Sequence, residues 1–393
     1  MIVIYDKNKQ RLPIKAWVDD VAVIDSISLR QAINLSNLPF AIKHIALMPD
    51  VHAGYGMPIG GVIALGGHVI PNAVGVDIGC GISFVKTNLT ADEISYEKYK
   101  LLSENILSKI PMGFENRKIA LSFKILDKYK AHAYYPDKKL KEEIKKAYYQ
   151  LGTLGGGNHF IELQKNSEGK LCIMVHSGSR HFGHTIASSF HRLASKRMGK
   201  TIDKELAYLD VDSFEGKAYI EWMNMALAFA KENRRVIIDE VLNTIEVKLE
   251  KFQIEQRIDV HHNYAAFEEV DGKKYWIHRK GAISAKKGEI GIIPSTMGGE
   301  SYLVEGKGNS ESFQSSSHGA GRTISRNAAK KQFKNEETIS MMNKHKIILG
   351  IKKGSIISDE DPRAYKEINW VLEQEKDLIE IVDKVKTIVV IKG

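Results

Sequence analysis

The sequence predicts one domain of mixed α and β structure whose active site is assembled from distant loops. Three observations carry that expectation. Short apolar runs are punctuated by glycine, and stretches rich in Lys, Glu and Leu at helical spacing lie between them. Segments of one shared glycine-rich chemistry are scattered along all 393 residues, with no Pro- or Ser-rich linker, low-complexity tract or internal repeat to divide them. Residues 1–393 are therefore taken as a single catalytic domain.

In chain order, the apolar runs 40–47, 60–65, 74–76 and 82–85 read as buried strands joined by tight loops. Residues 90–150 change character. The stretch Lys138-Lys-Leu-Lys-Glu-Glu-Ile-Lys-Lys-Ala-Tyr-Tyr predicts a helix, with Gly152 as its C-terminal stop. Strands return at 160–163 and 171–175. A long helix is predicted over about 205–252, its apolar residues three and four apart and its charges on a solvated face. Residues 259–326 are again short strands among Gly, Ser and His. A helix at about 378–385 and a strand at 387–391 close the chain.

Composition sets limits on function. Lys and Arg total 57 against 48 acidic residues, a net charge of +9, which suits a polyanionic partner without proving one. Two cysteines in a chain of this size make no disulfide scaffold and point to a reducing, cytoplasmic setting. The opening residues alternate like a strand, unlike a secretory leader, and no apolar stretch approaches the ~20 residues that span a bilayer. No membrane role is expected.

Five segments concentrate reactive side chains, four of them against glycines: Met48-Pro-Asp-Val-His-Ala-Gly-Tyr-Gly, Gly75-Val-Asp-Ile-Gly-Cys-Gly, Leu154-Gly-Gly-Gly-Asn-His-Phe-Ile-Glu, Val175-His-Ser-Gly-Ser-Arg and Asp259-Val-His-His-Asn-Tyr. A sixth, Ser315-Ser-Ser-His-Gly-Ala-Gly-Arg, lies further on. Glycine lets backbone approach an ion or a phosphate closely. Asp77 and Cys80 can face one site, and His159, His176 and His262 each end or follow a predicted strand. One thiolate, one carboxylate and three imidazoles exceed a single open tetrahedral zinc site. They suit two ions sharing a bridging thiolate, and the ligand types admit Mn, Fe, Co or Zn. Cys172, inside an apolar run, reads as core, whereas Cys80 between two glycines has no such run to join. His44, His132, His191 and His345 read as structural or surface groups. No Walker loop is present, because Gly306-Lys307 is followed by Gly308, and the glycines at 152–157 lead into a strand, unlike a dinucleotide fingerprint.

These motifs, in this order, resemble the RtcB family of RNA-splicing and RNA-repair ligases, from Phe40 to the terminal Lys392-Gly393. The resemblance implies a single-domain α/β (mixed α+β) fold with central β-sheets flanked by helices. It implies an enzyme that joins RNA 3′-phosphate or 2′,3′-cyclic phosphate ends to 5′-hydroxyl ends in tRNA splicing or RNA repair, using GTP and two Mn²⁺ ions. Carried over residue by residue, Cys80 would bridge the ions, His176 and His262 would complete one site, and Asp77 with His159 the other. His318 would be the nucleophile that takes GMP covalently. Asn158, Glu162, Ser301, Tyr365, Lys392 and the Gly319, Ala320, Gly321 backbone would contact the nucleotide. Arg180, Arg322 and Arg326 are candidates for phosphate contact. Thr296 stands where the family has a nucleotide-binding serine, and His181 where glycine is common.

The resemblance makes RNA, such as tRNA halves, the partner and a cytoplasmic monomer the expectation, and leaves open an accessory activating protein. A rival reading is a metal-dependent phosphoesterase that opens cyclic phosphate ends without ligation. A second is a non-catalytic RNA-binding component. Retention of His318, its Gly-Ala-Gly loop and Lys392 favours ligation, because a hydrolase needs no guanylate acceptor.

Overall fold

The computed structural model describes residues 1–130, 138–198, 203–249 and 251–393. His132 and Glu250, which the sequence reading places in or near helices, lie outside them. The fold is the expected mixed α/β architecture, built on two sheets. One has six strands in the spatial order Ile2–Ile4, Ile14–Ala16, Ala41–Tyr55, Met57–Leu65, Lys273–Lys280, Asn263–Val270. The last two form a hairpin turned at Asp271-Gly272, where both residues have positive φ (50° and 75°), as a tight two-residue turn demands.

The larger sheet runs Ile254–His261, Gly81–Thr90, Lys170–Ser177, Phe160–Asn166, Ile379–Lys392, Glu300–Gly306, Ile290–Ile293, with Ile348–Gly350 beside Ile379–Lys392. Its inner face carries Val85, Leu163, Ile173, Val175 and Ile391, all fully buried. They pack on Ile237, Ile238, Val241 and Ile245 of the long helix Phe214–Lys248. Each such aliphatic side chain contributes about 1.5–3 kcal/mol of burial free energy. The buried residues of that helix recur every three or four positions, the stripe visible in the sequence.

Several expectations need correction. The long helix starts at Phe214, not near residue 205, because Ser213 caps it by accepting from the Gly216 amide. A 3₁₀ turn (Lys204–Leu206) and a short strand (Leu209–Asp210) precede it. Residues 90–150 hold the helices Tyr96–Lys109, Lys124–Lys130 and Lys138–Gln150, separated after Lys109 by the loop around Pro111 and Gly113. The helix Lys138–Gln150 does stop at Gly152 (φ 72°).

The run 74–76 is not a strand. Pro71 opens a single helical turn, Pro71–Val74, and Gly75 (φ 98°) swings the chain outward so that Asp77 follows in a loop. Residues 378–385 are not a helix but the start of the strand Ile379–Lys392. Its alternation is interrupted by two register shifts against its neighbours, which mimics helical spacing, while its many Ile and Val side chains favour the pleated surface.

Candidate active site

Register explains how distant motifs meet. Gly81 pairs with Ser177 on one side and His261 on the other, and Phe160 pairs with both His176 and Lys392. Cys80, His176, His262, His159 and Lys392 thus stand at one end of five adjacent strands. The short strand Ser315–Ser317 pairs with Ala282–Ser284, and the Ala282 amide donates to the His262 carbonyl. That places the ring centroid of His318 4.6 Å from that of His262.

The structure gathers all five candidate metal ligands. Cys80 Sγ lies 3.4 Å from His159 Nε2 and 3.3 Å from His176 Nε2. His159 Nε2 is 3.0 Å from Asp77 Oδ2, and His176 Nε2 is 3.0 Å from His262 Nε2. The outer hydrogen bonds fix the tautomers. His159 Nδ1 faces the Leu154 carbonyl at 2.9 Å and His176 Nδ1 the Asn158 carbonyl at 3.0 Å, so each Nδ1 holds the proton. Asn263 donates to the Asp77 carbonyl and accepts from the Gly281 amide, which leaves its oxygen to face His262 Nδ1 at 3.4 Å. Three Nε2 lone pairs and a sulfur therefore converge in a buried space, with the half-buried Asp77 carboxylate at its edge. Lone pairs 3.0 Å apart repel unless a cation lies among them, so this donor set fits divalent metal, with Cys80 shared between an Asp77–His159 half and a His176–His262 half.

Burial pushes His176 and His262 well below the usual imidazole range and keeps both neutral, as ligation requires. Burial, then Asp77, pushes the Cys80 thiol up, so an arriving cation must displace its proton.

His318 sits where this cluster meets a cavity of about 550 Å³. Its Nδ1 donates to Asp50 Oδ2 at 2.6 Å, and its backbone amide donates to the same oxygen at 3.1 Å. The Asp50 side chain is fully buried. With Nδ1 protonated, Nε2 keeps a lone pair, the geometry of a held nucleophile. Gly321 (φ 73°) packs against the Asp50 backbone with no room for a Cβ, so the His-Gly-Ala-Gly loop can close only with glycine there. Beneath the strand, Glu375 accepts from the Ser317 amide and hydroxyl, and burial raises its carboxyl to about 8.

The cavity is lined by Asn158, Glu162, Thr296, Gly319, Ala320, Gly321, Tyr365 and Lys392 among others. Ser301 is not part of this lining; it is buried behind the loop and accepts from the Ser295 amide. Glu162 accepts from Gln164 and Thr387, and burial lifts its carboxyl to about 7. Glu360, a cavity residue that no sequence motif singles out, faces Lys392 at 3.6 Å and Arg322 and Arg326 at 3.2 Å each, and receives the Tyr365 hydroxyl. Three cations around one carboxylate leave this wall positive, suited to an anionic ligand. Of the arginine candidates, Arg322 and Arg326 line the cavity, whereas Arg180 is held by Thr153 and the Gly113 carbonyl beside the His159 loop. His181 pairs with buried Glu143, away from the cavity.

Asp50 is the main residue that sequence reading missed. It lies in the Met48-Pro-Asp-Val-His motif, but nothing in the motif's spacing names a partner 268 residues away. His52, which contacts the Asp50 carbonyl and also lines the cavity, was missed for the same reason.

A family model described as tRNA-splicing ligase RtcB matches residues 31–393. The chain is 36% identical to an RNA-splicing ligase RtcB of Escherichia coli K12, covering 98% of both chains. It is 34% identical to a tRNA-splicing ligase RtcB of Nanoarchaeum equitans (98% of this chain, 96% of that one). With a protein of the same description from Thermococcus kodakarensis the identity is 32%, over 99% and 96% of the two chains.

Proposed function

This chain belongs to the RtcB family, and from that membership and the site geometry we propose that it is a GTP- and Mn²⁺-dependent RNA ligase. It would join 3′-phosphate or 2′,3′-cyclic phosphate ends to 5′-hydroxyl ends of tRNA halves or other cleaved RNA. The observation that carries the reading is His318, whose Nε2 lone pair is fixed by Asp50 between a metal-type donor cluster and a cavity with a wall of three cations.

His318 Nε2 attacks the α-phosphorus of GTP; a P–N bond forms, the bond to the β-phosphate bridging oxygen breaks, and pyrophosphate leaves. Asp50 holds the Nδ1 proton and offsets the positive charge that grows on the ring, as an orienting carboxylate does for a catalytic histidine. The guanylyl group then passes to an RNA 3′-phosphate oxygen, freeing the imidazole. The 5′-hydroxyl attacks the resulting RNA-(3′)pp(5′)G linkage, forming the 3′,5′-phosphodiester and releasing GMP. A cyclic end is hydrolysed to the 3′-phosphate first. Asp77, Cys80, His159, His176 and His262 would hold two Mn²⁺ ions, which supply charge neutralisation at the phosphates.

Asn158, Glu162, Thr296, Tyr365 and Lys392 would hold the nucleotide. A buried carboxylate such as Glu162 can accept from the paired N–H groups of guanine, which adenine does not offer, and Lys392 reaches the same base. Ser301 would act by supporting the Ser295-Thr296 loop. Residues 1–393 act as one catalytic unit, a monomer in the cytoplasm. Among the described residues no helix is long and apolar enough to cross a membrane.

The test is incubation with α-³²P-labelled GTP and Mn²⁺ beside His318→Ala. An acid-labile label on the protein, absent from the variant, is expected. Absence of label with every divalent metal tried would overturn the ligase reading and favour the phosphoesterase that shares the cluster.

A further inference from the structure

Three of the strands that deliver the cluster end around one side chain outside it. Arg234, in the long helix Phe214–Lys248, is fully buried. Its Nη1 donates to the Gly79 carbonyl at 2.8 Å and to the Ser177 carbonyl at 2.9 Å. Its Nε and Nη2 form a fork on Asp259 (2.8 and 2.7 Å), and Nη2 lies 3.1 Å from His261 Nδ1. Gly79 precedes Cys80, Ser177 follows His176, and His261 precedes His262. One guanidinium is thus bonded to the immediate chain neighbours of two candidate ligands, Cys80 and His176, and through Asp259 to the strand that carries His262, where His261 Nδ1 donates to the same Gly79 carbonyl at 3.0 Å. Its own neighbour Asn233 does the equivalent for the loop that leads to His159, bonding the Gly152 and Thr153 amides and the Thr153 carbonyl.

Stability alone does not account for this arrangement. Burying a guanidinium carries a desolvation cost that even a well-made ion pair often only matches, and apolar residues of similar volume commonly hold a core as well. What an apolar residue cannot do is bind two carbonyl oxygens and a carboxylate at fixed angles. Gly79 has a positive φ of 73° and leaves no room for a Cβ against Ala230, so a glycine free to take other conformations is held here in one by bonds to its carbonyl and amide.

We propose that Arg234 is the positioning residue of the metal cluster, setting Cys80, His176 and His262 at coordinating separation by fixing the backbone beside the first two and, through Asp259, the strand that carries the third. The inference rests on the metal reading of that cluster and concerns geometry, since Arg234 touches neither substrate nor the ligand atoms.

The test uses the full chain titrated with Co²⁺, whose thiolate-to-metal absorption in the near ultraviolet reports Cys80 without any turnover. Wild type is expected to develop the band and Cys80→Ser to lack it. Arg234→Lys keeps the charge but loses the fork, and should weaken Co²⁺ binding about 10–100-fold, the range for loss of an outer-shell support. Arg279→Lys is the control. Arg279 is equally buried and forked on Glu268, but bonded to Phe313 and Ser315 instead of ligand neighbours, so its loss should lower stability and leave Co²⁺ affinity unchanged. If Arg234→Lys does not fold, Asp259→Asn, which halves the acceptor fork, should show a smaller loss of affinity. A folded Arg234→Lys or Asp259→Asn protein with wild-type affinity and band overturns the inference alone, as does an equal loss in Arg279→Lys. A wild-type protein with no band removes the metal reading and the inference with it.

Discussion

Asp50→Asn isolates what holds the nucleophile. In the wild type one buried carboxylate oxygen accepts from both Nδ1 and the backbone amide of His318, at 2.6 and 3.1 Å. The amide side chain has the same shape but one acceptor atom and no charge. If its oxygen takes the place of Oδ2, both bonds survive without the charge; if its NH₂ group takes that place, Nδ1 must accept and the proton moves to Nε2. The nucleophilic lone pair is then gone. Loss of a charge-assisted hydrogen bond alone is worth about 1.5–3 kcal/mol, or roughly 10- to 150-fold in rate. A wrong tautomer behind a catalytic histidine raises the loss to about 10⁴-fold in a comparable dyad. The expected fall in single-turnover labelling by α-³²P-GTP is therefore about 10- to 10⁴-fold. Near-native thermal unfolding and an unchanged Co²⁺ thiolate band should show that fold and cluster persist. A variant that is guanylylated within threefold of wild type would refute the role given to Asp50.

Two further outcomes follow from the cavity. Glu162 has a raised carboxyl near 7, so it is protonated below that pH and charged above it. If the charged form accepts from guanine, GTP affinity rises with pH up to about 7, by at most tenfold per unit, and Glu162→Gln flattens that dependence in fluorescence or calorimetric titrations. The same shift has the opposite sign for folding: this group's contribution to stability falls as pH climbs from its unfolded value through 7, which chemical denaturation of wild type and Glu162→Gln would reveal. Gly321→Ala asks an L-residue to adopt φ 73° with its Cβ against the Asp50 backbone. It should cost at least ~1–2 kcal/mol in denaturant unfolding and slow labelling, because Asp50 must move; unchanged values for both would contradict the packing described.

The candidate site was legible in sequence wherever chemistry is local. Asp77, Cys80, His159, His176, His262 and His318 stand out because reactive side chains are concentrated in short motifs, set among glycines or at the ends of apolar runs. The strand at Ile379–Lys392 was half misread, because two register shifts disturbed its alternation and only pairing with two neighbours could show the true period. The single turn Pro71–Val74 was hidden for a related reason, since a short apolar run carries no period of its own.

By itself, then, the sequence determined the alternation of sheet and helix, the stripe of the long helix and the identity of the reactive groups. These depend on side-chain type and on spacing within a few residues. Only the tertiary structure decided which groups act together. Asp50 meets His318 across 268 residues, Arg234 joins the ends of three strands, and Glu360 gathers Lys392, Arg322 and Arg326. Those partnerships are set by the register of paired strands and by where one helix crosses them. A buried carboxylate or guanidinium looks, in the chain, like any other charge until burial removes the water that would otherwise satisfy it.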